Sequence, residues 1–220
     1  MKPATHWIIA IDGPAAAGKG TLARRLAAHF GLPYLDTGLL YRAVGRRVLD
    51  RGESPSDANA AASAARGLGP EELKRPDLRG PEADAAAAAV ASVPGVRAAL
   101  LEFQRGFGSE RGAVLDGRDI GTVVFPNADL KLFIIASPEA RARRRWLELR
   151  SGGADADLAD VEREIRARDR QDAERAIAPL RPAHDAIVID TTGLERDAAF
   201  AAVLAVAGER LGLAKSDQVN

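Results

Sequence analysis

The sequence predicts an α/β fold in which helices cover a parallel sheet. Short aliphatic runs at residues 8–11, 113–116, 131–135 and 186–190 are each followed by a turn signal and a longer helical segment. This alternation is typical of parallel strands joined by helical crossovers. Aromatic residues make up only 5% of the chain and alanine is abundant, which favours helices packed closely on Val and Ile over an aromatic-rich β-sandwich.

Length and composition narrow the classes of protein that fit. The chain has 220 residues, 46% of them hydrophobic, so we expect a single domain with an insertion from a prior of roughly 100–200 residues per domain. The 31 Lys and Arg residues balance the 31 Asp and Glu residues, which argues against a nucleic-acid partner. The lack of cysteine excludes disulfides, thiolate metal sites and cysteine nucleophiles. Because the apolar runs are too short for a signal peptide core or a membrane span, we expect a cytoplasmic protein without a membrane partner.

The predicted helices have recognisable ends. The first strand leads through a glycine-rich turn into a helix predicted at residues 22–30. Proline is favoured in the first turn of a helix, polar residues at the N-cap, and glycine just after the last turn. On these grounds we assign Pro94 and Pro138 to first turns, Ser137 to an N-cap, and Gly31 and Gly212 to C-caps.

Two stretches interrupt the alternation of strands and helices. Residues 51–81 contain repeated Gly and Pro and no convincing strand, so we interpret them as an insertion rather than as part of the core. Residues 150–160 include the run SGGADAD and separate two strongly charged helices, which predicts a flexible tip. The last residues, 214–220, are expected to form a disordered tail.

The strongest motif is the run GPAAAGKGT at residues 13–21, directly after the first strand and before the first helix. That context is the one a phosphate-binding P-loop requires. Glycines let the backbone bend so that N–H groups point inward, and the helix N-terminus adds partial positive charge. A glycine-rich turn that binds nothing is the alternative. The predicted nucleotide-binding residues are Gly13, Pro14, Ala15, Ala16, Ala17, Gly18, Lys19, Gly20 and Thr21, with Lys19 reaching the terminal phosphates.

Two oxygen-bearing residues are candidates for holding Mg²⁺. Gly20 occupies the position where P-loops usually carry Ser or Thr, and Thr21 follows it, so Thr21 would touch the ion either directly or through water. Asp116 ends the second predicted strand, where a carboxylate can hold a metal-bound water beside the loop. A turn-capping role is the alternative for Asp116.

Residues outside the loop distinguish the classes of P-loop protein. A GTPase would carry an Asn-Lys-x-Asp run, and residues 127–130 lack its lysine. Residues 149–154 only half resemble the Leu-Ser-Gly-Gly-Gln signature of ABC-type ATPases. Neither signature fits, and the arginine residues described next favour a kinase.

Arginine is dense on the two predicted helices that flank the SGGADAD run. Residues spaced three, four or seven apart share one face of a helix. Guanidinium groups on such faces could close over a triphosphate and exclude water from it. Solvated salt bridges between two charged helices are the alternative. The residues concerned are Arg141, Arg144 and Arg145 on the first helix, and Arg168, Asp172 and Arg175 on the second.

Five motifs resemble those of the bacterial cytidylate kinases, a family of nucleoside monophosphate kinases. They are IDGPAAAGKGT, LDTGLLYRA, PGVRAALLEFQRGF, LDGRDIGTVVFPNA and RDRQDAERAIAPL, in family order along the chain. The resemblance implies a P-loop kinase fold, with a five-stranded parallel sheet flanked by helices, a monophosphate-binding insertion at residues 45–93 and a lid at residues 138–180. It also implies a monomer that transfers the γ-phosphoryl group of ATP to CMP or dCMP with Mg²⁺, in pyrimidine nucleotide metabolism.

The resemblance also implies roles for individual residues. The implied acceptor-binding residues are Thr37, Arg42, Arg97, Arg118 and Asp119, joined from the lid by Arg168, Asp172 and Arg175. Asp119 would accept a hydrogen bond from the amino group of cytosine. The implied catalytic residues, which would stabilise the transferring phosphoryl group, are Lys19, Arg118, Arg168 and Arg175.

Two departures from the family pattern bear on the acceptor. A serine that helps to hold cytosine is replaced by Ala88, and the stretch between residues 42 and 79 lacks the strand-like segments usual in the family. A kinase for another acceptor, such as UMP, a sugar acid or shikimate, is therefore one alternative. A nucleotide-dependent binding module with little turnover is another. Locally, Asp36 and Thr37 could merely cap a helix, and Arg118 with Asp119 could form a surface pair.

Overall fold

The computed structural model describes residues 6–213 and contains the predicted five-stranded sheet. Its strands are β1 (Ile8–Asp12), β2 (Tyr34–Asp36), β3 (Ala113–Gly117), β4 (Leu130–Ile135) and β5 (Ile187–Asp190), in the spatial order β2-β3-β1-β4-β5. The central strand β1 pairs in parallel with β3 and β4, and β4 pairs in parallel with β5. The predicted α/β class and parallel sheet are therefore confirmed.

Helices connect these strands. They are α1 (Lys19–Phe30), α2 (Thr37–Asp50), α3 (Ala58–Arg66), α4 (Pro81–Val90), α5 (Pro94–Ser109), α6 (Pro138–Ser151), α7 (Leu158–Glu174) and α8 (Arg196–Arg210), with a 3₁₀ turn at Pro70–Lys74 and a π-helical turn at Ile120–Val124. Across residues 6–213, no single helix has the length and apolar character needed to cross a membrane. The pair α4 and α5, bent by 99°, meets those two requirements only when taken together.

The helix ends follow the predicted capping pattern. Pro94 and Pro138 lie in the first turns of α5 and α6, and the Ser137 side chain accepts the Ala140 N–H at 3.2 Å. Gly31 ends α1 with a φ of 63°, a left-handed conformation that glycine adopts without strain. Gly212 lies one residue beyond the C-cap of α8.

One helix start and one strand differ from the predictions, and one predicted segment is not tested. Helix α1 begins at Lys19 rather than at residue 22, because the end of the glycine-rich loop is already helical. Strand β2 was not predicted, since three residues are too few to show an alternating pattern. The predicted tail at residues 214–220 lies outside the described residues.

The chain forms two compact units, with the boundary inside β2. The first, which we call the sheet unit, comprises residues 6–34 and 111–213 of the described chain. Its core packs Ile9 and Ile11 of β1 with Leu26 of α1 and Val203 of α8. In the β1–β3 register, Ile11 lies opposite Asp116. Ligands of open parallel sheets collect at the carboxyl ends of the strands, which is where this aspartate lies.

The second, which we call the helical unit, is Leu35–Glu110. The predicted insertion at residues 51–81 contains α3 and the 3₁₀ turn and, as expected, no strand. Small residues set the spacing of the helices here. A Cβ added to Gly45 of α2 would lie 2.7 Å from the Cβ of Ala86 in α4, so the two helices approach more closely than side chains at both positions allow.

This close approach predicts opposite effects for two glycine-to-alanine changes. Gly45→Ala should destabilise the protein by about 1–3 kcal/mol, because the added methyl overpacks the contact with Ala86. Gly106→Ala in α5 should instead stabilise it by about 0.5–1 kcal/mol, because nothing lies within 4 Å of the new Cβ and alanine favours the helix. Urea denaturation of both variants checks the pair. Equal effects of the same sign would contradict the assigned packing.

Candidate active site

The glycine-rich loop joins the end of β1 to the first turn of α1. A Cβ on Gly13 would lie 2.0 Å from the Ile134 carbonyl oxygen, so only glycine lets the loop pack against β4. Ala16 and Gly18 have φ values of 58° and 91°, which turn the chain back on itself. Gly18 is the N-cap of α1 and provides no side-chain acceptor for the N–H groups of the first turn. A bound anion can accept those N–H groups instead.

Lys19 is the first residue of α1, and its side chain is buried. Its Nζ donates to the Pro14 carbonyl oxygen at 2.7 Å, across the loop. Burial, together with the charge of Arg118, lowers the pKa of Lys19 to about 7, although the nearby carboxylates of Asp116 and Asp12 oppose the shift. The charged ammonium is therefore disfavoured until further negative charge approaches. A phosphate group would supply that charge.

Asp116 lies in β3 beside the start of α1. Its Oδ1 accepts the Tyr34 hydroxyl at 2.8 Å, and its Oδ2 lies 3.7 Å from the position of a Cβ on Gly20. Glycine at position 20 thus leaves room beside a carboxylate oxygen. Oxygen atoms of the carboxylate and of Thr21 are the kind of ligand that Mg²⁺ prefers, and Mg²⁺ usually completes its shell with water and substrate phosphates. Among the described residues, no group of three His, Cys, Asp or Glu side chains is placed to hold a metal ion.

Arg118 and Arg175 converge on one buried carboxylate. The Arg118 Nε donates to Asp172 Oδ2 at 2.8 Å, and an Arg175 nitrogen donates to Asp172 Oδ1 at 2.5 Å. Burial raises the pKa of Asp172, but the charges of Arg118, Arg175 and Arg168 outweigh it, so that the pKa lies below its usual range. The structure therefore brings four of the predicted lid and acceptor residues together. We call them the Asp172 cluster, and they are Arg118, Arg168, Asp172 and Arg175.

The interpretation of Arg118 and Asp119 as a surface pair is wrong. Asp119 is only 6% exposed, and the Arg118 guanidinium pairs with Asp172. Asp119 immediately precedes the π-helical turn Ile120–Val124. The segment that follows β3 therefore carries a buried carboxylate, Asp119, next to an arginine that pairs with Asp172.

A residue that the sequence analysis missed contacts the same turn. Asp12, at the end of β1, accepts the backbone N–H of Ile120 at 2.8 Å and of Gly121 at 2.7 Å. Burial raises its pKa to about 6, although these two hydrogen bonds lower it. The sequence feature that could have identified Asp12 is its position as an acidic residue at the end of an aliphatic strand, directly before the loop.

The three arginines predicted on one face of α6 have separate partners. Arg141 is buried and donates to both oxygens of Asp169, at 2.9 and 2.6 Å, as well as to the Ala15 carbonyl oxygen at 3.3 Å. It therefore links α6 to α7 and to the glycine-rich loop. Arg144 donates to the Thr191 carbonyl oxygen at 2.5 Å.

Exposed salt bridges account for other charges on the two helices. Arg145 pairs with Glu148 at 3.0 Å, and Arg166 of α7 pairs with Glu139 and Glu162. The alternative of a salt-bridged helix pair is therefore right for these residues, while Asp172 at the end of α7 pairs with Arg118 and Arg175.

The buried contact of Arg141 predicts a large loss of stability on mutation. Arg141→Met should cost about 3 kcal/mol or more, because it leaves Asp169 and two carbonyl oxygens without their donor. Arg145→Met on the same helix removes an exposed pair and should cost less than about 1 kcal/mol. Thermal denaturation of the two variants compares them. Similar melting temperatures would show that Arg141 does not hold the helices together.

The remaining acceptor residues lie in the helical unit. Thr37 is buried at the first position of α2, behind Asp36, which is the N-cap but makes no side-chain capping bond. The Arg42 Nε donates to Asp84 Oδ1 at 2.9 Å. The Arg97 guanidinium lies over the ring of Tyr41, 5.9 Å from its centre. Ala88, on α4, is half-buried. Four of the predicted positions thus lie on three helices of one unit.

Comparison with known proteins identifies relatives along most of the chain. A family model described as cytidylate kinase matches residues 9–208. A cytidylate kinase of Granulibacter bethesdensis is 63% identical over 88% of this chain and 92% of its own length. One from Paramagnetospirillum magneticum is 58% identical, over 92% and 98%. A solved structure of an uncharacterized protein from Eubacterium ventriosum shares the fold with a TM-score of 0.51 and 15% identity, over 91% of this chain and 97% of that one.

Proposed function

Because the chain belongs to the cytidylate kinase family, we propose that it transfers the γ-phosphoryl group of ATP to CMP or dCMP, forming ADP with CDP or dCDP. The chain is a phosphotransferase with nucleotide substrates. The observation that carries the proposal is electrostatic. Lys19 of the loop and Arg118 lie close enough in one unit for the charge of Arg118 to lower the pKa of Lys19. Such a concentration of positive charge suits a transferring phosphoryl group.

On the donor side, the loop residues 13–21 would bind the phosphates of ATP through their N–H groups, and Lys19 would contact the terminal phosphates. Phosphoryl transfer needs positioning and positive charge rather than a covalent intermediate. Lys19, Arg118, Arg168 and Arg175 supply that charge. Asp172 holds two of these guanidinium groups in place through the hydrogen bonds described above.

Thr21 and Asp116 are the residues that would hold Mg²⁺ with the nucleotide. When bound, the ion neutralises phosphate charge and orients the phosphate chain. Gly20 keeps the space beside Asp116 open, because any side chain there would approach the carboxylate.

On the acceptor side, Thr37, Arg42 and Arg97 would bind the monophosphate. Asp119 would accept from the amino group of cytosine, and Asp172 from a sugar hydroxyl. The segment of α6 and α7, within residues 138–180, would act as the lid that excludes water from the reaction. The monomeric state and the cytoplasmic location stay predictions of the sequence.

The test is ADP release from ATP with Mg²⁺ and CMP, dCMP, UMP, AMP or no acceptor, in parallel, with the products identified by chromatography. Selective turnover of CMP and dCMP is expected, and chelation of the metal with EDTA should stop it. Preferential turnover of UMP would mean that Ala88 has changed the base preference. Turnover with none of the acceptors would leave nucleotide binding as the only supported role.

A further inference from the structure

Asp12 connects the glycine-rich loop to the segment that carries Arg118 and Asp119. It is the last residue of β1, it directly precedes Gly13, and it is only 4% exposed. Its two oxygens accept the consecutive N–H groups of Ile120 and Gly121, 108 and 109 residues away in sequence. Both bonds are buried, so water does not replace them when they are lost.

These two hydrogen bonds give acceptors to the first N–H groups of the π-helical turn. The first N–H groups of any helical turn lack acceptors within the turn. The Asp119 carbonyl oxygen in turn accepts the N–H of Val123 at 2.9 Å and of Val124 at 3.2 Å. The Asp119 carbonyl group is thus hydrogen-bonded to the end of the turn. Asp12 holds Ile120 and Gly121, the two residues that follow Asp119. The carboxyl group therefore determines where Asp119 and its neighbour Arg118 lie.

Close packing around the same turn leaves little freedom for another arrangement. A Cβ on Gly121 would lie 3.4 Å from Asp12 Oδ2 and 3.2 Å from the Cδ of Lys131. The backbone at Gly121 therefore lies close to the Asp12 carboxylate. A residue with a bulky side chain at position 121 would push the turn away from Asp12.

We infer that Asp12 is a positioning residue for acceptor selection: it holds the Arg118–Asp119 segment in register with the phosphate-binding loop, so that Asp119 reads the base. The inference rests on the proposed function, in which Asp119 accepts from the amino group of cytosine. In this role Asp12 acts through its bonds to Ile120 and Gly121 rather than on a nucleotide. A buried carboxylate carries a desolvation cost, which the raised pKa of Asp12 reflects, and this cost is offset only if both oxygens keep their donors.

Asp12→Asn tests the inference, because the amide keeps one acceptor and turns its NH₂ group toward a backbone N–H. We expect kcat/KM for CMP relative to UMP to fall about tenfold, with KM for CMP raised, because one buried hydrogen bond to a charged group is lost. The ratio between CMP and UMP is the readout rather than KM for ATP, because the Asp12 carboxylate also favours the charged form of Lys19 and its loss acts on the loop as well. An unchanged preference for CMP over UMP would overturn the inference.

Asp129→Ala is the matched control. Asp129 Oδ2 accepts the Ile8 N–H at 2.9 Å, the same kind of bond at the opposite end of the same strand. This variant should lose thermal stability and keep its preference for CMP. If both variants lose stability and both keep the preference, Asp12 has only a structural role.

A second variant decides the question if Asp12→Asn does not fold. Gly121→Val adds two further methyl groups at a Cβ position that already lies 3.4 Å from Asp12 Oδ2, so it should push the turn away from the carboxylate and lower the CMP-to-UMP preference in the same direction. A full preference in folded Gly121→Val protein would overturn the inference. Failure of the proposed function is a distinct result, since the unmodified protein would then show no preference for CMP over UMP.

Discussion

Lys19→Ala is expected to lower kcat by about 10²–10³-fold while the protein stays folded, because a preorganised group at a site of developing charge contributes about this much. The substitution removes the only buried ammonium of the phosphate-binding loop. It should not lower stability through charge loss, since burial already disfavours the charged form of Lys19 in the folded state. Initial rates at saturating ATP and CMP, with circular dichroism as the check on folding, measure the effect.

Two further variants separate the effect of the Lys19 ammonium group from the effects of side-chain volume and of positive charge elsewhere on α1. Lys19→Met keeps most of the buried volume, so it should be as inactive as Lys19→Ala without a cavity. Arg25→Ala removes a cation from the same helix, where Arg25 pairs with Asp197 at 2.7 Å, and it should leave kcat within about twofold because exposed pairs contribute little. Near-normal turnover of either Lys19 variant would mean that the loop does not bind the transferring phosphates as proposed.

The parts of the site that could be predicted are those that neighbouring residues determine. The loop at residues 13–21 has its strand, its glycines and its lysine within one short run, so spacing alone indicated it. The strands other than β2 appear as aliphatic runs, because parallel strands covered by helices are apolar on both faces. Pro94, Pro138 and Ser137 act within a single turn and were placed correctly for the same reason.

The pairings could not be predicted, because they join residues far apart in sequence. Arg118 meets Asp172 across 54 positions, and Arg141 meets Asp169 across 28. Helical periodicity placed Arg141 on a face with Arg144, but it could not show that Arg141 is buried against another helix. Nor could it show that Asp12, whose pattern is that of a strand ending, accepts from residues in the turn after β3. These partners are determined by tertiary packing, which a local sequence pattern does not show.

Arg118→Ala is the second variant with a large expected effect. If the guanidinium stabilises the transferring phosphoryl group, as we propose, kcat should fall about 10³–10⁵-fold, with little change in KM for CMP. Steady-state rates at varied CMP and saturating ATP give both constants. Arg170→Ala on α7 is the control for loss of positive charge, because its side chain is exposed, and it should be close to normal.

The division between kcat and KM also identifies which stage of the reaction Arg118 serves. Loss of an interaction made only in the transition state lowers kcat, whereas loss of ground-state binding raises KM alone. Arg118→Ala leaves Asp172 with the hydrogen bond from Arg175, so the carboxylate keeps a donor within its own segment. The bonds from Arg141 to Asp169 still join α7 to α6. A rise in KM for CMP at constant kcat would reassign Arg118 to acceptor binding. Unchanged constants would remove it from the site and leave Lys19, Arg168 and Arg175 to stabilise the transfer.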